Sequence, residues 1–121
     1  MAKYALLLGG SATADLDGKV ELASRVYKRY TAWLLELRQS GHKVQTLKLN
    51  DRSGARLSVH GGQVVEGPFV ESREAVGGIV VLDAADLTEA IAIARRCPAL
   101  ELPSCTIEVR PLDEVGRPGP V

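Results

Sequence analysis

The sequence predicts an α+β domain in which two helices cover one face of an antiparallel sheet, and three observations lead there. Apolar residues recur at helical spacing in two separate stretches, Ala23 to Leu37 and Leu87 to Ala94. Short aliphatic runs bounded by Gly, Pro and Asp fall before, between and after them. Their order is strand, helix, strand, hairpin, strand, helix, strand, which is a ferredoxin-like split βαβ sandwich with a hairpin inserted between its halves.

Each element has a local reason. Tyr4-Ala5-Leu6-Leu7-Leu8 reads as a strand, released by Gly9-Gly10-Ser11 into a polar loop holding Asp15 and Asp17. Ala23, Val26, Tyr27, Tyr30, Trp33, Leu34 and Leu37 then mark the buried side of a long helix, opposite Arg25, Lys28, Arg29, Glu36 and Gln39. Asp17 is its expected cap, and Gly41 ends it in the left-handed conformation that glycine adopts most cheaply. Val44 to Leu49 turns extended, and Asp51-Arg52-Ser53-Gly54 is a loop. Leu57 and Val59 lead into the two-residue turn Gly61-Gly62, from which Val64 and Val65 return.

The second half repeats the logic. Gly78 to Leu82 is a strand with consecutive apolar residues, the pattern of burial on both faces. Asp86-Leu87-Thr88-Glu89 has capping-box spacing and opens a helix with Leu87, Ala90, Ile91 and Ala94 on one face. Arg95 and Arg96 complement its carbonyl end, and Pro98 stops it. Thr106 to Arg110 alternates, Ile107 and Val109 inward, and the tail from 113 to 121 contains Gly116-Arg117-Pro118-Gly119-Pro120.

Size and charge bound what the chain does. With 121 residues and 12.9 kDa it builds one modest core. Fifteen basic residues balance fifteen acidic ones and neither sign forms a block, which disfavours nucleic-acid binding. The first apolar run is too short for a signal peptide or membrane span, so the expectation is a cytoplasmic protein with no membrane contact. Cys97 and Cys105 lack metal-site or redox spacing, and no metal or cofactor is expected. Gly9 to Ala14 is neither a dinucleotide fingerprint nor a phosphate-binding loop. Tyr27, Tyr30 and Trp33 share the face that must be buried, so they read as core. His42 and His60, beside turns, read as solvated surface residues.

Two helices cover one face of the sheet, yet Tyr4 to Leu8 and Ile79 to Leu82 are apolar in both directions. An exposed apolar sheet of several hundred Å² is unusual in a soluble monomer. A homodimer packed sheet against sheet is the expected solution.

Chemistry concentrates in Glu66-Gly67-Pro68-Phe69-Val70-Glu71-Ser72-Arg73-Glu74. Pro68 fixes its own φ and makes the exit from the hairpin a rigid bend that aims Phe69. One reading has Phe69 plugging the core edge while the charges solvate a turn. The functional reading sets Glu66, Phe69, Glu71 and Arg73 around a cleft beside the sheet, where Arg73 would pair a ligand carboxylate or phosphate and a desolvated Glu would act as a base.

This segment, with Val76-Gly77-Gly78-Ile79 and Arg110-Pro111-Leu112, resembles the signature of the YCII-related, DGPF-type family, whose usual form is Asp-Gly-Pro-Phe-x-Glu-Thr-Lys-Glu followed by Gly-Gly. Here Glu66, Ser72 and Arg73 replace the usual Asp, Thr and Lys, and Ile79 stands where an aromatic residue commonly follows. The resemblance runs from Tyr4 to Leu112, within one domain expected at 1–112, and implies a dimeric α+β barrel. It also implies a histidine-aspartate pair in some relatives, with the histidine near the start of the first helix, but 15–26 contain no His. The expected function is a small-molecule-binding or accessory homodimer. Alternatives implied by the resemblance are a cofactor-free isomerase, lyase or dehalogenase acting on a small ring compound, and a regulatory partner of an alternative sigma factor.

Overall fold

A computed structural model of the chain describes residues 1–10, 20–50, 53–67 and 76–113, with the backbone alone at 20, 23 and 76. Strand β1 (Ala2–Gly9) leads to helix α1 (Val20–Gln39), β2 (Val44–Lys48), the hairpin β3 (Arg56–His60) and β4 (Gln63–Gly67), β5 (Val76–Ala84), α2 (Leu87–Arg95), a 3-10 turn (Pro98–Glu101) and β6 (Thr106–Pro111). The main sheet has the order β2-β5-β1-β6 and every neighbouring pair is antiparallel. This is the ferredoxin-like α+β arrangement, with β5 between the strands of the first βαβ unit.

The register sorts side chains by face. Leu82 pairs with both Tyr4 and Val44, and Leu6 with both Val80 and Val109, so these residues project to the helix side. There Leu6, Val80 and Leu82 are fully buried, beneath Trp33, Leu34 and Leu37 of α1 and Ala90, Ile93 and Ala94 of α2. Burying each such aliphatic side chain is worth about 1.5–3 kcal/mol. A bulge shifts the β1 to β5 pairing after Leu8, where Gly9 pairs with Val76.

Both helix ends follow the sequence logic. Gly41 has a φ of +96°, and the bonds Gly41 N to Arg38 O and His42 N to Leu37 O make a Schellman cap. Asp86 accepts from Glu89 N at 2.8 Å. The Glu89 carboxylate reaches Ala85 N at 3.1 Å, one residue beyond the cap. At the hairpin tip, Gly61 and Gly62 both take positive φ.

Two details differ from the sequence expectation and a third extends it. Tyr27 is 68% exposed: Tyr30, Trp33, Leu34 and Leu37 form the stripe that joins the core over the sheet, and Tyr27 falls at its flank on the helical wheel. On α2 the buried positions are Ala90, Ile93 and Ala94, whereas Leu87 and Ile91 remain partly exposed. Pro98 ends α2 and also opens the 3-10 turn, at the first position where a missing N–H costs nothing. The expected cap Asp17 and the tail beyond 113 lie outside the described residues.

Candidate functional site

Of the ligand-binding candidates, the description reaches Glu66. It lies on β4 opposite Leu57 and is exposed. Phe69, Glu71 and Arg73 lie outside the described residues, but the anchors on either side of them are defined. The chain leaves the hairpin at Gly67, paired with Arg56, and enters β5 at Val76, paired with Gly9. The signature thus joins the hairpin to the central strand at the bulged end of the β1 to β5 ladder. Bulges commonly sit beside binding sites, where they re-aim side chains.

This end of the sheet is tightly built. Gly10 has a φ of +104°, and a Cβ placed there would lie 2.0 Å from the backbone oxygen of Ser104. Only glycine lets β1 leave the sheet against the start of β6.

The face opposite the helices has its own composition. Its first row runs Leu47, Ile79, Leu7 and Glu108, and the next runs Gln45, Val81, Ala5 and Arg110. Leu7, Ile79 and Val81 are half-buried, and Leu47 is 48% exposed. Glu108 and Arg110, 3.6 Å apart, form an exposed ion pair along the β6 edge. An apolar centre with one edge carrying both charges is self-complementary under a two-fold axis.

At the far corner of the sheet the structure brings together two residues that the sequence leaves apart. The Nδ1 of His42 lies 2.8 Å from the Asp83 backbone oxygen and 3.7 Å from Oδ1 of the same residue. Lys43 N donates to that Oδ1 at 2.9 Å. The His42 side chain is only 16% exposed, so it is not the solvated surface residue expected from its place beside a turn. The Schellman cap fixes the chain direction after α1 and delivers His42 to β5. The sequence signal was the helix-ending Gly41, but identifying Asp83 as partner required the β2 to β5 register. A ring Nδ1–H donated to the carbonyl would leave Nε2 as an acceptor.

Two other concavities are present among the described residues: one of about 430 Å³, open to solvent, lies beside the start of α1 and is lined by Glu21, Ser24, Arg25, Lys28 and Arg29. A cleft of about 50 Å³ between α1 and α2, lined by Trp33, Glu36, Leu37, Ser40, Ile93 and Arg96, is far below the roughly 300–1,000 Å³ of ordinary ligand pockets. Burial pushes the Cys97 thiol up to about 11 and, together with the nearby Cys97 and Cys105, the Tyr30 phenol up to about 12. Both stay protonated near neutrality and act as core, not as nucleophiles. Among the described residues no group of three or more His, Cys, Asp or Glu is placed to hold a metal ion, and no helix is long and apolar enough to cross a membrane.

The family model of the YCII-related domain matches residues 4–114, a span that runs from within β1 past the end of β6 and takes in the whole signature segment. No curated protein matches the chain.

Proposed function

This chain belongs to the YCII-related domain family, and from that premise we propose that it is a cytoplasmic, DGPF-type homodimer that binds a small molecule in a cleft bordered by Glu66, Phe69, Glu71 and Arg73. The observation that carries the reading is the second sheet face. Leu7, Ile79, Val81 and Leu47 form a continuous apolar patch there, and among the described residues no helix lies over it. A twin copy laid on this face removes the patch from water and walls in the end of the sheet where the signature enters at Val76.

Within that cleft Arg73 supplies a bidentate donor for a carboxylate or phosphate, Phe69 an apolar wall, and Glu66 and Glu71 acceptors that orient the ligand. The test is a thermal-shift screen of small aromatic acids, phenols and phosphates on the wild type, Arg73→Ala and Glu66→Gln. A compound that raises the wild-type Tm, with the rise lost in both variants and their unliganded Tm unchanged, supports the reading. Variants that keep the full ligand shift, or that lose Tm without ligand, overturn this cleft.

A further inference from the structure

The hairpin β3–β4 forms a two-stranded sheet of its own, hydrogen-bonded through its own ladder and separate from the main sheet. Its register places Leu57, Val59 and Val64 on one face, with Glu66 beside Leu57 at the open end, since Val59 pairs with Val64 and Leu57 with Glu66. The three aliphatic side chains are 66%, 67% and 69% exposed, and none belongs to the hydrophobic core. An isolated two-stranded hairpin is marginal in water, and three large aliphatic side chains in one exposed row make it costlier.

We infer that the hairpin is a dimerisation arm whose Leu57, Val59 and Val64 face closes on a second copy of this chain. The inference rests on the sheet-to-sheet homodimer proposed above and deepens it. The argument for a second copy is area. Four strands about 4.8 Å apart, with roughly six paired residues at about 3.4 Å each, give the open sheet face roughly 400 Å² in projection. A stable interface buries about 800 Å² per partner, so the sheet face alone falls short by about half. Two strands of five residues present a strip of roughly 160 Å² in projection by the same spacings. In a two-fold dimer each protomer adds its own arm to its own sheet face, which raises its contact area to roughly 560 Å² in projection, about 70% of the standard figure. The main sheet and the arm are then both covered by one partner about one symmetry axis.

The test compares the dimer dissociation constants of the wild type and Val59→Asp/Val64→Asp by sedimentation equilibrium, with far-UV circular dichroism as the fold control. The account expects a dimeric wild type and at least about a 100-fold weaker constant in the variant, the size of losing a central anchor pair, with the spectrum unchanged. A folded variant with the wild-type constant overturns the arm while leaving the sheet-to-sheet dimer standing. A monomeric wild type overturns the dimer, and the arm with it. Should the variant fail to fold, hydrogen exchange of the wild-type amides at 57–65 decides: protection that rises with protein concentration supports the arm, and protection independent of concentration overturns it.

Discussion

His42 Nδ1 and the backbone oxygen of Asp83 lie 2.8 Å apart across 41 residues of chain. This bond locks the capped end of α1 onto the end of β5. The Asp83 carboxylate has a separate task, accepting from Lys43 N at 2.9 Å, and stands 3.7 Å from the imidazole.

His42→Ala and Asp83→Ala should therefore each cost about 1 kcal/mol, the ordinary net worth of one hydrogen bond. Their coupling in a double-mutant cycle should stay below about 0.5 kcal/mol, because the histidine bonds to a backbone carbonyl that Asp83→Ala retains. Urea unfolding of the four proteins measures this. A coupling well above 1 kcal/mol would show that the carboxylate, and not the carbonyl, holds the ring.

Gly10 and Gly41 both have positive φ but face different surroundings: a Cβ on Gly10 would strike the Ser104 oxygen, whereas one on Gly41 meets nothing within 4 Å. Gly41→Ala should cost about 1–2 kcal/mol, the penalty for a left-handed alanine. Gly10→Ala adds overpacking against backbone and should cost more than about 3 kcal/mol. Equal urea midpoints for the two variants would contradict the close approach of β1 and β6.

Asp86→Ala should cost about 1 kcal/mol through loss of the bond to Glu89 N, and Asp86→Asn should recover most of it. Thermal unfolding of the pair separates a capping role from a charge effect, since asparagine keeps the acceptor and removes the charge.

Alkali should act through the core. Folding raises the Cys97 thiol from 9.0 to about 11 and the Tyr30 phenol from 10.0 to about 12. Each folded-state value lies above the unfolded one, so the contribution is complete below about pH 9 and is lost as pH rises through the window from 9 to 12. Stability measured by urea should fall across that window, and Cys97→Ala/Tyr30→Phe should flatten the slope there. A slope identical to the wild type would place the alkaline transition elsewhere.

Much of this was legible in the chain. Gly41, Gly61-Gly62 and the Asp86 to Glu89 spacing are local instructions, and each makes the cap or turn that its chemistry dictates. The alternation of Ile107 and Val109 likewise gave the inward side of β6. What was illegible depends on register. Nothing near His42 announces Asp83; the two meet only because Val44 pairs with Leu82. Tyr27 and Ile91 fit a helical stripe on paper, but a stripe has edges, and where the sheet ends its edge residues stay in water. The signature segment was read for Glu66, Phe69, Glu71 and Arg73, of which the described residues include Glu66.

The central claim is that Leu7, Ile79, Val81 and Leu47 are covered by a second copy. Sedimentation velocity of the wild type at micromolar concentration tests it most directly. The account predicts a single species of twice 12.9 kDa, converted to monomer by Ile79→Asp. A wild-type species of 12.9 kDa that binds no hydrophobic dye would contradict it.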